Sequence, residues 1–248
     1  MKFMKDAPVI MVKNINKSFG SNHVLRNFSM DVKAGENVAI LGKSGSGKSV
    51  LIKCIINLMT PEDGRINVLG EDISDLNEES LDSMRAKVGF LFQSNALYDS
   101  MTVRDNLEFP LRRHWAKEQR EKDAEKAVRE ALADVGLEHT IDMMPAELSG
   151  GMRKRIALAR TLILQPKIIL YDEPTTGLDP ITAREISQLI VKVQKKYNAS
   201  SVIISHDMNC IHMTSNRVLM LIDGRCYAEN TFENLKTSSD PKVREFFE

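Results

Sequence analysis

Cysteine is scarce in this 248-residue sequence: Cys54, Cys210 and Cys226 are the three present, odd in number and far apart. No Cys-x-x-Cys or Cys/His spacing accompanies them, so neither a disulfide framework nor a zinc site is expected, and a reducing, cytosolic compartment is the plain reading. Net charge is missing too. The 34 basic residues balance the 34 acidic ones, which gives no support to a nucleic-acid partner. No run of about 18 apolar residues occurs, so no membrane-spanning helix is expected and any membrane role must pass through a partner. The opening Met1-Lys2-Phe3-Met4-Lys5-Asp6 is too polar for a signal peptide. Internal repeats, low-complexity tracts and long linkers are absent as well. What is left is ordinary globular composition, 42% hydrophobic and 27% charged, at a length that suits one large domain or two small ones.

Against that background Gly42-Lys43-Ser44-Gly45-Ser46-Gly47-Lys48-Ser49 stands out, because it fits the phosphate-binding pattern G-x-x-x-x-G-K-[ST]. Val38-Ala39-Ile40-Leu41 before it reads as a buried strand, and Val50-Leu51-Ile52-Lys53-Cys54-Ile55-Ile56 after it reads as a helix. Glycines let the backbone bend tightly so that successive N–H groups point at phosphate oxygens. The helix that follows adds the positive end of its dipole. Lys48 is expected on the β- and γ-phosphates and the Ser49 hydroxyl on Mg²⁺. A glycine- and serine-rich surface loop is the plainer alternative, and the strand before and helix after weigh against it.

Four apolar runs share one design. Val38–Leu41 ends at the phosphate loop, Val88–Phe92 at Gln93, Ile168–Tyr171 at Asp172-Glu173, and Val202–Ser205 at His206. Each suits a strand buried on both faces of a parallel sheet, and each hands over a polar residue at its C-terminal end, where open α/β sheets bind ligands. From Val9 to Gly35 the text reads as short strands and turns of an antiparallel sheet. Residues 95–164 are almost entirely helical in pattern, with Ala124, Val128, Ala131 and Val135 on one face. Asp179 is a plausible N-cap, with Pro180 at the first helical position and Ile186, Leu189, Ile190, Val193 and Tyr197 along one stripe. Val218–Ile222, Asp223-Gly224 and Arg225–Tyr227 read as a hairpin closed by an Asp-Gly turn.

Two further motifs narrow the chemistry. Asp172 is placed to hold Mg²⁺ through water, and Glu173 to orient or activate the attacking water. Leu148-Ser149-Gly150-Gly151-Met152 puts a capping serine and two glycines at a second helix N-terminus suited to phosphate. Leu-Ser-Gly-Gly shortly before an apolar strand ending in Asp-Glu resembles the signature of the ATP-binding cassette (ABC) ATPases. The resemblance covers nearly the whole chain, with the P-loop at 42–49, a Q-loop at Gln93, the signature at 148–152, a Walker B strand at 168–173, a D-loop at 176–179 and a switch histidine at His206, all in the family's order.

That resemblance implies an α/β fold with a RecA-like P-loop core, an N-terminal antiparallel β-subdomain and an inserted helical subdomain at about 95–164, the whole of 1–248 forming one nucleotide-binding domain. It implies ATP and Mg²⁺ as cofactors. Gly42 to Ser49 and Val50 would cradle the nucleotide, Ser49, Gln93 and Asp172 would serve the metal, and Lys48, Gln93, Glu173 and His206 would serve hydrolysis. Phe19 would stack on adenine, with a core aromatic as the less favoured alternative, and Asp179 would act across a dimer interface, though its N-cap role explains it equally well. Ser149, Gly150 and Gly151 of a second copy would close over the γ-phosphate, giving a head-to-tail, ATP-dependent dimer. No Asn-Lys-x-Asp guanine motif is present, so ATP is preferred over GTP.

Met152 where importer-type cassettes commonly have glutamine, Val50 after the P-loop, the stretch Phe90–Val103 with Asn106–Leu111, and the tail Ser239–Phe247 are together similar to the ATPase subunits of Mla-type lipid transporters. The implied partners are an integral-membrane permease and an MCE-domain lipid-binding subunit, with the chain cytoplasmic and peripheral on the inner membrane. An amino-acid importer, a lipoprotein exporter and a soluble non-transport cassette ATPase are the alternatives. The segment from Ala96-Leu97-Tyr98 to Leu107-Glu108-Phe109-Pro110-Leu111 is rich in large apolar residues and is expected to dock on the permease, with packing inside the helical subdomain as the alternative for any single residue.

Overall fold

The computed structural model describes residues 7–248. The polar opening Met1–Asp6, read above as unlike a signal peptide, lies outside the described residues. In chain order the elements are β1 (Pro8–Phe19), β2 (Asn22–Lys33), β3 (Asn37–Leu41), α1 (Lys48–Ile55), β4 (Asp63–Val68), β5 (Glu71–Asp72), α2 (Glu78–Ala86) and β6 (Val88–Leu91). They continue with α3 (Val103–His114), α4 (Lys117–Asp134), two single 3₁₀ turns and α5 (Gly150–Leu162). Then follow β7 (Ile168–Asp172), α6 (Pro180–Tyr197), β8 (Ser200–Ile204), α7 (Met208–Thr214), β9 (Arg217–Ile222), β10 (Arg225–Asn230), α8 (Phe232–Lys236) and α9 (Pro241–Arg244).

The strands form two sheets. One has the order β10-β9-β3-β8-β7-β6, with every pair parallel except β10 on β9. The four apolar runs read as buried parallel strands are β3, β6, β7 and β8 of this sheet. The other sheet is antiparallel, in the order β2-β1-β4-β5. Here the structure departs from the reading of short strands and turns. Residues 8–33 make two 12-residue strands whose pairing slips at several points. Asn14 and Asn27 take left-handed backbone at these irregularities, both at φ 51°, and the Asn27 N–H donates to Asn16 Oδ1 at 2.8 Å. Bulges interrupt the period-two alternation, so long strands read as fragments.

Alternate residues of the parallel sheet feed different cores, as the pleat requires. Val38, Ile40, Leu170, Val202, Ile204, Leu219 and Leu221 pack into the cluster shared with the antiparallel sheet and α1. On the opposite face, Ile169, Tyr171 and Ile203 pack under α5 and α6. Residues of α3, α4 and α5 have their own cluster, including Val103, Leu107, Leu111, Val128, Leu132 and Ile156. The helix α5 contributes to both, with Ala157, Leu158 and Leu162 turned to the sheet side. The Asp-Gly hairpin forms as expected, with Asp223 and Gly224 both at positive φ. No helix among the described residues is long and apolar enough to cross a membrane.

Candidate functional site

Because β3, β6, β7 and β8 run parallel, their C-terminal ends converge on one edge of the sheet. The chain leaving β3 turns through the P-loop into α1. Gly47 caps this helix in a left-handed conformation, φ 103°, with no side-chain cap. A Cβ at this position would lie 2.6 Å from Val24 Cγ1, so both the conformation and the close approach of β2 call for glycine. The uncapped N–H groups at the start of α1 are those an anion would take.

A cleft of about 670 Å³ opens over this turn. Phe19, Val24, Ser44, Gly45, Gly47, Lys48, Ser49, Val50, Gln93, Glu173 and His206 line it. Phe19 is 49% exposed at the end of β1, which removes the core-aromatic alternative; it lines the cleft beside the P-loop, with the Lys17 ammonium 5.5 Å from the centre of its ring. Lys48 is buried, and its ammonium donates to the carbonyls of Gly42 (2.7 Å) and Lys43 (3.0 Å). Burial pulls its pKa down, and the carboxylates of Glu173 and Asp172 push it back up.

Ser49 donates its hydroxyl to Asp172 Oδ1 at 3.0 Å. Burial raises the pKa of the Asp172 carboxyl, opposed by that hydrogen bond, so the site favours a cation that restores the charged form. A hydroxyl and a carboxylate side by side, with the Gln93 amide lining the same cleft, form an all-oxygen donor set. Such a set fits a hard cation that keeps several of its waters, as Mg²⁺ does. Among the described residues there is no group of three or more His, Cys, Asp and Glu that would hold a metal by protein ligands alone.

Glu173 follows directly in a left-handed backbone conformation, φ 52°, with its N–H donating to the Ile204 carbonyl at 2.9 Å. A non-glycine residue held there stores strain, on the order of 1–3 kcal/mol. The neighbouring strand thus fixes the turn, and two side chains fix the carboxylate. Thr176 Oγ1 donates to Glu173 Oε2 at 3.1 Å, and His206 Nδ1 lies 2.8 Å from the same oxygen. Thr176 was visible in sequence only as a D-loop residue; its bond to Glu173 arises from the strained turn and carries no local sequence signal.

The remaining predicted residues lie elsewhere. Lys43 points to the other side of the loop and pairs with Glu245 at 2.6 Å. Gly42 is buried beneath the loop, and Ser46 Oγ is buried without a hydrogen-bond partner. Ser149 caps α5 by accepting from the Met152 N–H at 3.2 Å. Ser149, Gly150, Gly151 and Asp179 do not line the cleft; Ser149, Gly150 and Asp179 are exposed on the surface. Asp179 accepts from the N–H groups of Ile181 and Thr182, both at 3.0 Å, so its N-cap role is occupied within its own chain.

The ABC transporter family profile matches residues 25–176. A probable ribonucleotide transport ATP-binding protein of Mycobacterium leprae is 41% identical over 96% of this chain and 68% of its own length. The methionine import ATP-binding protein of Clostridium tetani is 40% identical over 88% of this chain and 67% of its own length. The intermembrane phospholipid transport system ATP-binding protein MlaF of Haemophilus influenzae is 38% identical over 96% of this chain and 89% of its own length. Among solved structures, the dimeric ATP-binding cassette MJ0796 bound to ADP and Pi superposes with a TM-score of 0.80 at 33% identity, covering 90% of this chain and 98% of that one. The chain therefore spans about two thirds of the first two relatives and most of the third.

Proposed function

This chain belongs to the ABC transporter family and is an ATP-hydrolysing, ATP-binding subunit of a transport system; we propose that the system moves phospholipid, in the manner of Mla-type complexes. The observation that carries the lipid reading is the near end-to-end correspondence with the phospholipid relative, which is matched over 89% of its length against 68% and 67% for the nucleotide and methionine relatives.

In this reading the P-loop N–H groups and Lys48 hold the β- and γ-phosphates, and Phe19 stacks on the adenine. Ser49 and Asp172, with Gln93, would hold Mg²⁺, which would supply neutralisation of the phosphate charge. Glu173, its Oε2 pinned by Thr176 and His206, orients and polarises the attacking water, and His206 also meets the γ-phosphate. The signature at Ser149–Gly151, exposed at Ser149 and Gly150, lies outside its own chain's cleft. A second copy placed head to tail supplies it, and the resulting dimer is two-fold symmetric. Hydrolysis removes the bridging γ-phosphate and loosens the pair. The membrane partner is an integral permease, with an MCE-domain lipid-binding subunit beyond it, and residues 1–248 work as one nucleotide-binding domain at the cytoplasmic face.

The higher identity of the nucleotide and methionine relatives favours a second reading, import of a small polar solute. The complex purified with its permease and placed in phospholipid vesicles separates the two. Phospholipid transport should require ATP, and neither methionine nor ribonucleotides other than ATP should raise the rate of ATP hydrolysis. Stimulation by one of those solutes without lipid movement would replace the lipid reading.

A further inference from the structure

Three side chains of α5 bond to the backbone of β6 and of the segment that leaves it. Lys154 Nζ donates to the Gln93 carbonyl at 3.0 Å, Arg160 to the Asn95 carbonyl at 3.2 Å, and Thr161 Oγ1 to the Phe90 carbonyl at 3.4 Å. Helix and strand are close enough for this because Gly89 has no side chain: a Cβ there would lie 2.7 Å from Thr161 Cγ2. Within the segment itself one backbone bond runs from the Asn95 N–H to the Phe92 carbonyl at 3.1 Å. Asn95 and Ala96 are consecutive non-glycine residues in left-handed backbone, at φ 65° and 52°, and Asn95 Oδ1 is buried without a partner. Such a conformation persists only where its surroundings enforce it.

Lys154 is 2% exposed, and no carboxylate forms a salt bridge with it among the described residues. A buried ammonium is costly, and an apolar side chain would fill the same space without the penalty. Burial lowers its pKa, while Asp172 and Glu173 act on it through space in the opposite sense. Its cation thus stands between the signature helix, the Q-loop and the Walker B carboxylates. Arg160, one and a half turns further on, reaches the other end of the same segment. Its guanidinium carbon sits 5.7 Å from the centre of the Tyr98 ring, and Tyr98 in turn contacts Phe109, ring centres 4.9 Å apart.

We propose that Lys154 and Arg160 are positioning residues that tether the Q-loop backbone to the signature helix of the same chain. A displacement of α5 by a second copy closing on Ser149–Gly151 then carries Gln93 with it, and so does a displacement arriving at Tyr98. Neither residue touches nucleotide in this arrangement; both act through Gln93. The inference rests on the reading of the cleft as the ATP site.

The test uses the full chain in complex with its permease, as wild type, Lys154→Met, Lys154→Arg and Lys48→Ala. Lys154→Met should lower kcat about tenfold or more while leaving KM for ATP within about twofold, because a misplaced positioning group costs rate rather than binding. Backbone amides of residues 92–97 should exchange with deuterium faster, with Tm little changed. Lys154→Arg, which keeps a charged donor in reach, should recover most of both. Unchanged kcat and unchanged exchange in Lys154→Met would overturn the tether. So would kcat, KM and Tm worsening together, which is the pattern of a purely structural residue. Should Lys154→Met not fold, Arg160→Gln, at a partly exposed position, carries the same exchange readout over residues 95–98. Wild-type hydrolysis by Lys48→Ala would instead sink the ATP-site reading, and the exchange data would then judge the tether alone.

Discussion

At the scale of single residues the site is a set of side chains whose positions are enforced by their neighbours. Glu173 shows this most clearly. Its left-handed backbone, its N–H bond to Ile204 and the two groups on Oε2 leave its carboxylate little freedom. Glu173→Gln keeps the size and the hydrogen bonding but loses the charge that polarises water. ATP binding should persist, and hydrolysis should fall by about a hundredfold or more, the range general-base catalysis supplies. Single-turnover kinetics with labelled ATP would check this, and rapid turnover would remove Glu173 from its role. Lys48, Ser49 and Asp172 were legible in sequence because a P-loop and a strand-ending carboxylate are local patterns. The contacts of Lys154 and Arg160 were not, because each joins residues brought together only by the packing of α5 against the segment after β6, and the Thr176 bond was not, because it depends on the left-handed turn at Glu173.

At the scale of elements, the apolar segment from Ala96 to Leu111 divides. From sequence the segment was expected to dock, with internal packing as the alternative for any single residue. Leu107 and Leu111 are fully buried in the cluster of α3, α4 and α5, so they are core and do not dock. Leu97 is partly buried against that cluster and against the sheet-side cluster, so Leu97→Asp tests packing rather than a partner. Tyr98 and Phe109 are the exposed pair, 43% and 39% accessible. Tyr98→Asp should therefore release the ATPase from its permease while nucleotide binding by the chain is retained. Loss of an interface aromatic of this kind costs about 2 kcal/mol or more, roughly a thirtyfold weaker complex. A pull-down with the permease beside a nucleotide-binding assay distinguishes the outcomes: retention of the variant in the complex would place docking elsewhere.

Another link between elements joins the end of α4 to the end of α6. Asp134 is buried, accepts from Lys196 Nζ at 2.5 and 2.7 Å, and accepts from the Tyr197 hydroxyl at 2.6 Å. Burial, and then the Asp134 carboxylate, push the Tyr197 hydroxyl pKa upward, so the tyrosine stays a proton donor. Lys196 is half exposed and its share is screened. Asp134→Ala, which also leaves the Tyr197 hydroxyl without its acceptor, should cost about 2 kcal/mol of stability. Urea denaturation would read this as a lower midpoint at unchanged slope. No sequence pattern marks this pair, because Asp134 and Tyr197 sit on helices 63 residues apart.

At the scale of the whole molecule, the parallel sheet explains why four strand ends share one cleft, and Ser149 and Gly150 of the signature are exposed away from it. The four buried parallel strands and the hairpin were readable from apolar runs and an Asp-Gly turn, while the strand order was not, nor were the long bulged strands β1 and β2, since bulges erase the alternation that marks a strand. Glu173→Gln should sediment as a dimer with ATP and Mg²⁺ and as a monomer without them; a monomer under both conditions would contradict the head-to-tail arrangement. The most direct test is ATP hydrolysis by the purified complex carrying Lys48→Ala. Losing the ammonium that neutralises the β- and γ-phosphates should bring hydrolysis to background with the subunits still assembled. Hydrolysis near the wild-type rate would show that the cleft over Gly42–Ser49 is not where ATP is cleaved.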